Sequence, residues 1–294
     1  MSLTIGVCAF NEEKNIGSIL TDVLNQSDLP QDLAIIVVAS GCTDNTPAVV
    51  RQMMRHDDRV QLIEEQTRTG KTGAINLILS RCRTELLALV DADVRLRQYC
   101  FAEILRCFSD QTVGVVGALP IVGNAESGEI AKSAAAISRV LRHAATDLAS
   151  LGQLSYVMGE MYCFRTGIVQ RLPSEIVNDD AYVATCARLK DYRVDLAPRA
   201  EFVTKVPSTV WDYVAQRRRI TFGHMQIKTR MGRFATSIEG MALGHPWVLL
   251  RAMVREAASD LLNVARSVVI LELEITSTLM AWLDRVRRKE HVIY

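Results

Sequence analysis

Leu86-Leu87-Ala88-Leu89-Val90 runs directly into Asp91-Ala92-Asp93. Five consecutive apolar residues read as a strand buried on both faces, because a half-exposed strand would alternate. The two carboxylates stand at i and i+2 just past its end, where both can be aimed at one hard cation. Mg²⁺ or Mn²⁺ held by two carboxylates keeps positions open for phosphate oxygens. A lone Asp-x-Asp is also a common solvated loop, and its place after a buried strand is what sets this one apart.

The same pattern repeats toward the N-terminus. Residues 3–10 form a short apolar run, followed by a helix over 12–24. A β-branched strand over 34–38 ends at Ser40-Gly41. A helix over 46–56 has Pro47 in its first turn, where proline is well tolerated. A strand over 60–64 and a helix over 72–82 lead back to the opening stretch. Strand and helix alternating in this way predict an α/β fold, a mostly parallel sheet flanked by helices. In such sheets ligands bind beyond the carboxyl ends of the strands. The polar clusters at 11–13, 40–44, 68–71 and 91–93 all stand there. The second half is less regular: a strand over 113–119, a helix over 129–151, an extended segment over 156–164 broken by Gly159, and a helix over 179–189. Residues 241–294 predict two or three amphipathic helices.

Composition excludes several classes. The chain has 294 residues, 49% hydrophobic and 23% charged, which excludes disorder and collagen-like repeats. Its 34 Lys/Arg and 33 Asp/Glu give a net charge of +1, too little for a nucleic-acid field. The balance is uneven: residues 201–294 carry 14 Lys/Arg against 9 Asp/Glu, and residues 1–200 carry 20 against 24. Seven scattered cysteines without a CxxC pair predict reduced thiols and a cytoplasmic protein. Asn11, Glu12, Glu13 and Lys14 interrupt the first apolar run, which argues against a leader peptide. Arg266, Glu272 and Glu274 interrupt the most apolar late stretch, so no spanning helix is expected there.

Three further clusters carry charge. Arg68-Thr69-Gly70-Lys71 precedes a helix, and basic side chains at a helix N-terminus suit a diphosphate or, equally, a solvated turn. Gly70-Lys71-Thr72 is not a Walker A loop, because Glu65 stands where that motif needs glycine. Asn178-Asp179-Asp180 offers a general base, although N-capping by Asn178 or Asp179 is the simpler reading of these residues alone. Gln216-Arg217-Arg218-Arg219 reads, on charge alone, as a solvated face. His143, His224 and His245 lack metal-ligand spacing.

In combination, over about residues 3–224, the chain resembles the family 2 glycosyltransferases with the GT-A fold. Ala9-Phe10-Asn11-Glu12-Glu13 is similar to the family's first-strand motif, and residues 39–46 to its Asp-Gly-Ser-Thr-Asp loop. Arg68, Gly70-Lys71, Ala74 and Asn76 match Arg-x-Gly-Lys-x-x-Ala-x-Asn. Asp91-Ala92-Asp93 matches the metal motif, Gly159-Glu160 the acceptor-side glycine motif, and Gln216-x-x-Arg219 part of Gln-x-x-Arg-Trp. The resemblance implies inverting transfer of a sugar from a nucleoside-diphosphate donor to a glycan or lipid-linked acceptor, by a hexosyltransferase-type enzyme. It implies that Ala9, Phe10, Glu12 and Ser40 line the nucleoside pocket and that Arg68 and Lys71 hold the nucleotide. Asp91 would face the ribose or diphosphate, and Asp93 with Asp91 would take Mn²⁺ or Mg²⁺. Asp180 would be the general base, with Asp179 beside the acceptor. Gly159, Glu160, Gln216 and Arg219 would form the acceptor side. The expected division is a catalytic domain over 1–235, with halves 1–110 and 111–235, and a helical extension over 236–294.

Three positions depart from the family pattern. Ser40 stands for an aspartate, Asp179 for a glutamate, and Ile220 for the tryptophan of processive members. The expectation is therefore transfer of one or a few sugars. A sugar-phosphate nucleotidyltransferase is the competing enzyme, although Asn11-Glu12-Glu13 replaces the glycine-rich loop it would need. A non-catalytic scaffold is the competing non-enzyme. The tail helices allow two readings: packing on this domain or on a second copy in a homo-oligomer, or lying in the plane of a membrane's cytoplasmic face.

Overall fold

A computed structural model describes residues 1–232, 244–259 and 262–287. The expected domain boundary near 235 lies outside the described residues. Among the described residues, eight strands form one mixed sheet. In chain order they are β1 (Leu3–Ala9), β2 (Leu33–Ser40), β3 (Val60–Glu65), β4 (Leu86–Asp91), β5 (Arg95–Leu96), β6 (Val113–Val122), β7 (Met161–Arg165) and β8 (Arg193–Thr204). Their spatial order is β3-β2-β1-β4-β7-β6-β8-β5. The first four are parallel neighbours, as expected, and β6 runs parallel to β8. β7 inserts antiparallel between β4 and β6, and β5 pairs antiparallel with β8.

The continuous apolar runs are explained by two cores, one on each face. Ile35 and Val37 join Leu86, Ala88 and Val90 on one side. Ile36 and Val38 join Leu87 and Leu89 on the other. Successive side chains alternate faces, so a strand covered twice must be apolar at every position. The first core is closed by α1 (Ile16–Leu24), α2 (Thr46–Met54) and α4 (Cys100–Cys107), and the second by α3 (Gly70–Arg81), α5 (Glu129–Ser150) and α6 (Asp179–Leu189).

The register places the chemistry. Cys8 lies opposite both Val38 and Asp91, so β1, β2 and β4 end together. Three long helices complete the described residues: α7 (Val210–Met231), α8 (Pro246–Ser259) and α9 (Leu262–Val286). The α7 helix opens on Thr209, whose Oγ1 accepts the Asp212 N–H at 3.1 Å, and closes on Gly232 at φ 70°. α9 packs on α7 and α5, and α8 packs on α5.

Several expectations needed adjustment. Helix α1 begins at Ile16 rather than Glu12, because residues 12–15 form a turn in which Glu12 accepts the Asn15 side-chain N–H at 2.7 Å. Of the extended segment over 156–164, only its end is a strand. Strand β8 escapes a reading by hydropathy: Arg193, Asp195, Pro198, Arg199 and Glu201 interrupt it, and its pairing with β6 is irregular.

The tightest test of the packing is Gly6, at the centre of β1. A Cβ there would fall 2.8 Å from the Ile78 side chain of α3 and 2.9 Å from that of Leu89. Gly6→Val should therefore destabilise the fold by about 1–3 kcal/mol through overpacking, read as a lower urea midpoint.

Candidate active site

Three loops at the carboxyl ends of β1, β2 and β3 are laced together by polar contacts. The Glu12 N–H reaches Thr46 Oγ1 at 2.7 Å, and the Glu13 N–H reaches Asp44 Oδ2 at 3.1 Å. Asn11, at φ 55°, turns its side chain to accept the Thr43 N–H at 2.8 Å. Gly41 has φ 65°, and a Cβ there would fall 2.7 Å from the Arg68 backbone nitrogen. Glycine is thus required both by conformation and by the close approach. Ser40 is buried, and its Oγ accepts the Thr69 N–H at 3.2 Å. The Arg68 guanidinium lies 3.5 Å above the Phe10 ring centroid, a cation–π contact that builds a flat wall.

Helix α3 then anchors the opposite side. Asn76 both donates to Leu172 O and accepts from Leu172 N–H, at 2.9 and 2.8 Å. Thr72 Oγ1 donates to Ile176 O at 2.8 Å. These bonds draw the segment before α6 against α3, and Lys71 at the start of α3 meets the start of α6. Lys71 Nζ lies 2.8 Å from Asp91 Oδ1, 3.5 Å from Asp179 Oδ1 and 3.3 Å from Gly159 O. Tyr162 Oη donates to the other Asp179 oxygen at 2.7 Å. Asp179 is 5% exposed. Its two oxygens face Lys71 and Tyr162, so both are engaged by side chains while the residue lines the cavity.

The capping reading of 178–180 fails. The N-cap residue of α6, Asn178, makes no side-chain capping bond. Asn178 instead donates from Nδ2 to Ile220 O of α7 at 2.9 Å. Gly223 permits this approach, since a Cβ there would fall 2.4 Å from Asn178 Oδ1. Gly159 lies against Asp180 in the same way, its hypothetical Cβ 3.2 Å from the carboxyl carbon.

The result is a cavity of about 410 Å³. Asp91, Asp93, Gly159, Glu160, Asp179 and Asp180 line it together with Lys71, and α7 contributes Gln216 and Arg219. Nine of the fourteen site residues expected from sequence therefore meet at one cavity, and the carboxylates at 91, 93 and 180 converge there. Ala9, Phe10, Ser40 and Arg68 stand outside it, at the neighbouring strand ends. Glu12 bridges the two groups, with its carboxyl raised by burial and by the nearby charges of Asp93 and Asp91.

The electrostatics follow from crowding. Burial pushes Asp180 up to about 7, and the adjacent Asp179 adds to the shift. Burial also raises Glu160 and Asp91, each against the pull of Lys71. Burial alone would lower Lys71, but Asp179 and Asp91 outweigh it and hold the ammonium well above its usual range. A carboxylate with a proton affinity near neutrality, facing a cavity, is equipped as a general base.

Two features were not legible in the sequence. Tyr162, which orients Asp179, gave no more signal than its position two residues after Glu160. Glu274 of α9 also lines the cavity, where it accepts from Tyr213 Oη at 2.6 Å and pairs with Arg217 at 2.7 Å. Arg218 pairs with Asp284 of the same helix. Two of the run's three arginines are thus neutralised by a helix more than fifty residues away, and the solvated-face reading is corrected for them.

Comparisons with known proteins agree with this arrangement. A mannosyltransferase from Pyrobaculum calidifontis, solved in complex with GDP-Man and Mn²⁺, superposes with a TM-score of 0.68 at 24% identity, over 98% of this chain and 88% of that one. Residues 1–349 of TarS from S. aureus, solved with UDP, give 0.56 at 15% identity, over 98% and 92%. At these identities the likeness concerns the fold, which is that of GT-A glycosyltransferases. A beta-monoglucosyldiacylglycerol synthase from Nostoc sp. is 25% identical over 126 residues, 42% of this chain. That match spans about a quarter (27%) of the relative's length. The model of glycosyl transferase family 2 matches residues 4–172, more than half of the chain, and the protein is accordingly a member of that family of glycosyltransferases.

Proposed function

We propose that the protein transfers a sugar, with inversion, from a nucleoside-diphosphate donor to an acceptor hydroxyl, using Asp180 as base and a divalent cation at Asp91 and Asp93. The observation that carries this reading is the convergence of Asp180, poised near neutrality, and the Asp91-Ala92-Asp93 turn on one cavity.

The donor set suits a hard cation. Asp93 is exposed and has no ion-pair partner among the described residues, and its charge helps raise Glu12 and Glu160. Such mutual repulsion is what a bound cation relieves. Among the described residues no three or more His, Cys, Asp or Glu are grouped to enclose a metal by themselves. Asp93 and Asp91 would hold Mn²⁺ or Mg²⁺, with donor phosphate oxygens completing its shell. When bound, the ion would neutralise charge that develops on the departing diphosphate.

The chain's own residues divide the remaining work. Asp180 Oδ accepts the proton of the acceptor hydroxyl as its oxygen bonds to the anomeric carbon. The bond from that carbon to the diphosphate oxygen breaks, and the nucleoside diphosphate leaves with the electron pair. Tyr162 and Asp179 fix Lys71 at the cavity floor beside Asp91, where its charge faces the leaving group. Arg68 over Phe10 offers a wall for the nucleoside. Gln216 and Arg219 sit on the acceptor side. Ile220 in place of an aromatic supports a non-processive transfer, and the expected halves 1–110 and 111–235 would then supply donor and acceptor sides respectively. Solved relatives bound to GDP-Man with Mn²⁺ and to UDP support a nucleotide donor without choosing its base. Relatives named glucosyldiacylglycerol synthases support a lipid acceptor.

Asp180→Asn should lower the rate of sugar transfer or donor hydrolysis by about 10²–10⁴-fold while preserving the donor's thermal stabilisation of the protein. Asp93→Ala should abolish the Mn²⁺-dependent part of that stabilisation. Full activity in Asp180→Asn would overturn the proposal.

The pH profile is a separate test. A base must be ionised, so kcat/KM should rise with pH through about 7, and Asp180→Asn should erase that limb. Stability should move the opposite way. The native state holds the Asp180 proton more tightly than the unfolded chain, whose carboxylate titrates near 4. This contribution is therefore fully present below about pH 4 and is lost as pH rises toward 7. Urea midpoints of Asp180→Asn measured across this window should lack that decline.

A further inference from the structure

Helices α8 and α9 bury polar groups beside the apolar Ala252, Ile270 and Ala281, and expose apolar residues over much of their outward face, which also carries Glu272 and Thr276. The inward positions of α9 include Asn263, Glu274, Ser277 and Asp284, all 4% exposed or less. Its outward positions Leu271, Ile275, Leu279, Trp282 and Val286 are 51–62% exposed. They recur at spacings of four, four, three and four, so they form one stripe about 22 Å long. In α8, Glu256 is inward, where it pairs with Arg139 and accepts from Asn263, while Trp247, Leu250 and Val254 face out. A helix packed on a soluble domain ordinarily carries the opposite arrangement.

This orientation is locked. Glu274 is held by Tyr213 and Arg217, and Asp284 by Arg218. Arg285 adds a bond to Thr229 Oγ1 at 2.6 Å. Rotating α9 to bury its leucines would pull two carboxylates away from their arginines, a costly rearrangement. The apolar stripe is thus presented outward by the polar packing beneath it.

We propose that the outward face of α8 and α9 binds in the interfacial plane of an anionic lipid bilayer. Three observations favour a bilayer over a second copy of this chain. All three tryptophans of the protein are exposed, Trp211 and Trp247 at 79% and Trp282 at 56%, and tryptophan is the residue that prefers the headgroup region. Exposed cations flank the stripe, with Arg251 on α8 and Arg285 and Arg287 at the end of α9. Residues 201–294 carry 14 Lys/Arg against 9 Asp/Glu, which attracts anionic headgroups and repels a like-charged copy. Among the described residues no helix is long and apolar enough to cross a membrane, so the contact lies in the plane. Because Glu274 reaches the cavity from the same helix, this contact would hold the cavity close to the lipid surface. The inference stands apart from the catalytic reading, since binding is measured without donor or metal.

The test is flotation of the full chain with phosphatidylcholine vesicles containing about a third phosphatidylglycerol. The protein should float with the lipid. Ile275→Gln/Leu279→Gln/Trp282→Gln, which alters no charge and no inward residue, should lower the vesicle-bound fraction roughly tenfold or more. Its melting temperature should not fall. A variant that retains Trp282 as its only tryptophan, with Trp211→Phe and Trp247→Phe, should lose fluorescence with brominated acyl chains. The proposal is overturned if the wild type stays out of the lipid fraction, or if the triple variant floats equally well. It is also overturned if light scattering shows a dimer that the triple variant splits, which would assign the face to a second copy.

Discussion

The contact between Lys71 and the two aspartates is the constraint that organises this molecule. A lysine amine removed from water would lose its proton unless carboxylates stood within a few ångströms. Asp91 ends a central strand and Asp179 begins a helix from the other half of the chain. Joining them through one ammonium fixes the distance between the two halves at the cavity. Tyr162, on the antiparallel strand inserted beside β4, secures the second oxygen of Asp179. The site is therefore tied to the sheet at β4 and β7 and to α3 and α6 at once.

The same crowding prepares the chemistry. Asp179 and Asp180 are sequence neighbours with opposite environments. The first is enclosed by a cation and a phenol, and the second faces the cavity with a repelling charge behind it. Two carboxylates of one kind thus take different duties: one is held in place, and the other has a raised affinity for a proton. Asn178, one residue earlier, is claimed by α7, which leaves the start of α6 without a side-chain cap. A stabilising interaction was given up there, and its place is taken by a contact that positions the site.

How much of this could be read in the residues follows from how local each signal is. The apolar runs at 34–38 and 86–90 revealed a doubly covered sheet, because each strand carries its own burial pattern. The carboxylates at 91 and 93 were legible because strand ends in such sheets are where ligands go, and the one at 180 only through the family resemblance. Strand β8 was missed because its partners, not its own hydropathy, make it a strand. The engagement of Asp179 by Tyr162 was not legible, because the two lie seventeen residues apart and meet only in three dimensions. The cationic run at 217–218 looked solvated for the same reason. Its counter-charges, Glu274 and Asp284, lie in α9, more than fifty residues away, and no local rule would pair them.

Helix α7 links two regions that are remote from each other in the chain. One side of it holds Asn178, next to the cavity carboxylates Asp179 and Asp180, through Ile220 and Gly223. Another side carries Arg217 and Arg218, neutralised by α9. Shortening the chain to a tidier catalytic fragment would therefore not be innocuous. A cut before α8 would strip two arginines of the acids that balance them, and leave surplus positive charge on the very helix that holds Asn178 at the cavity.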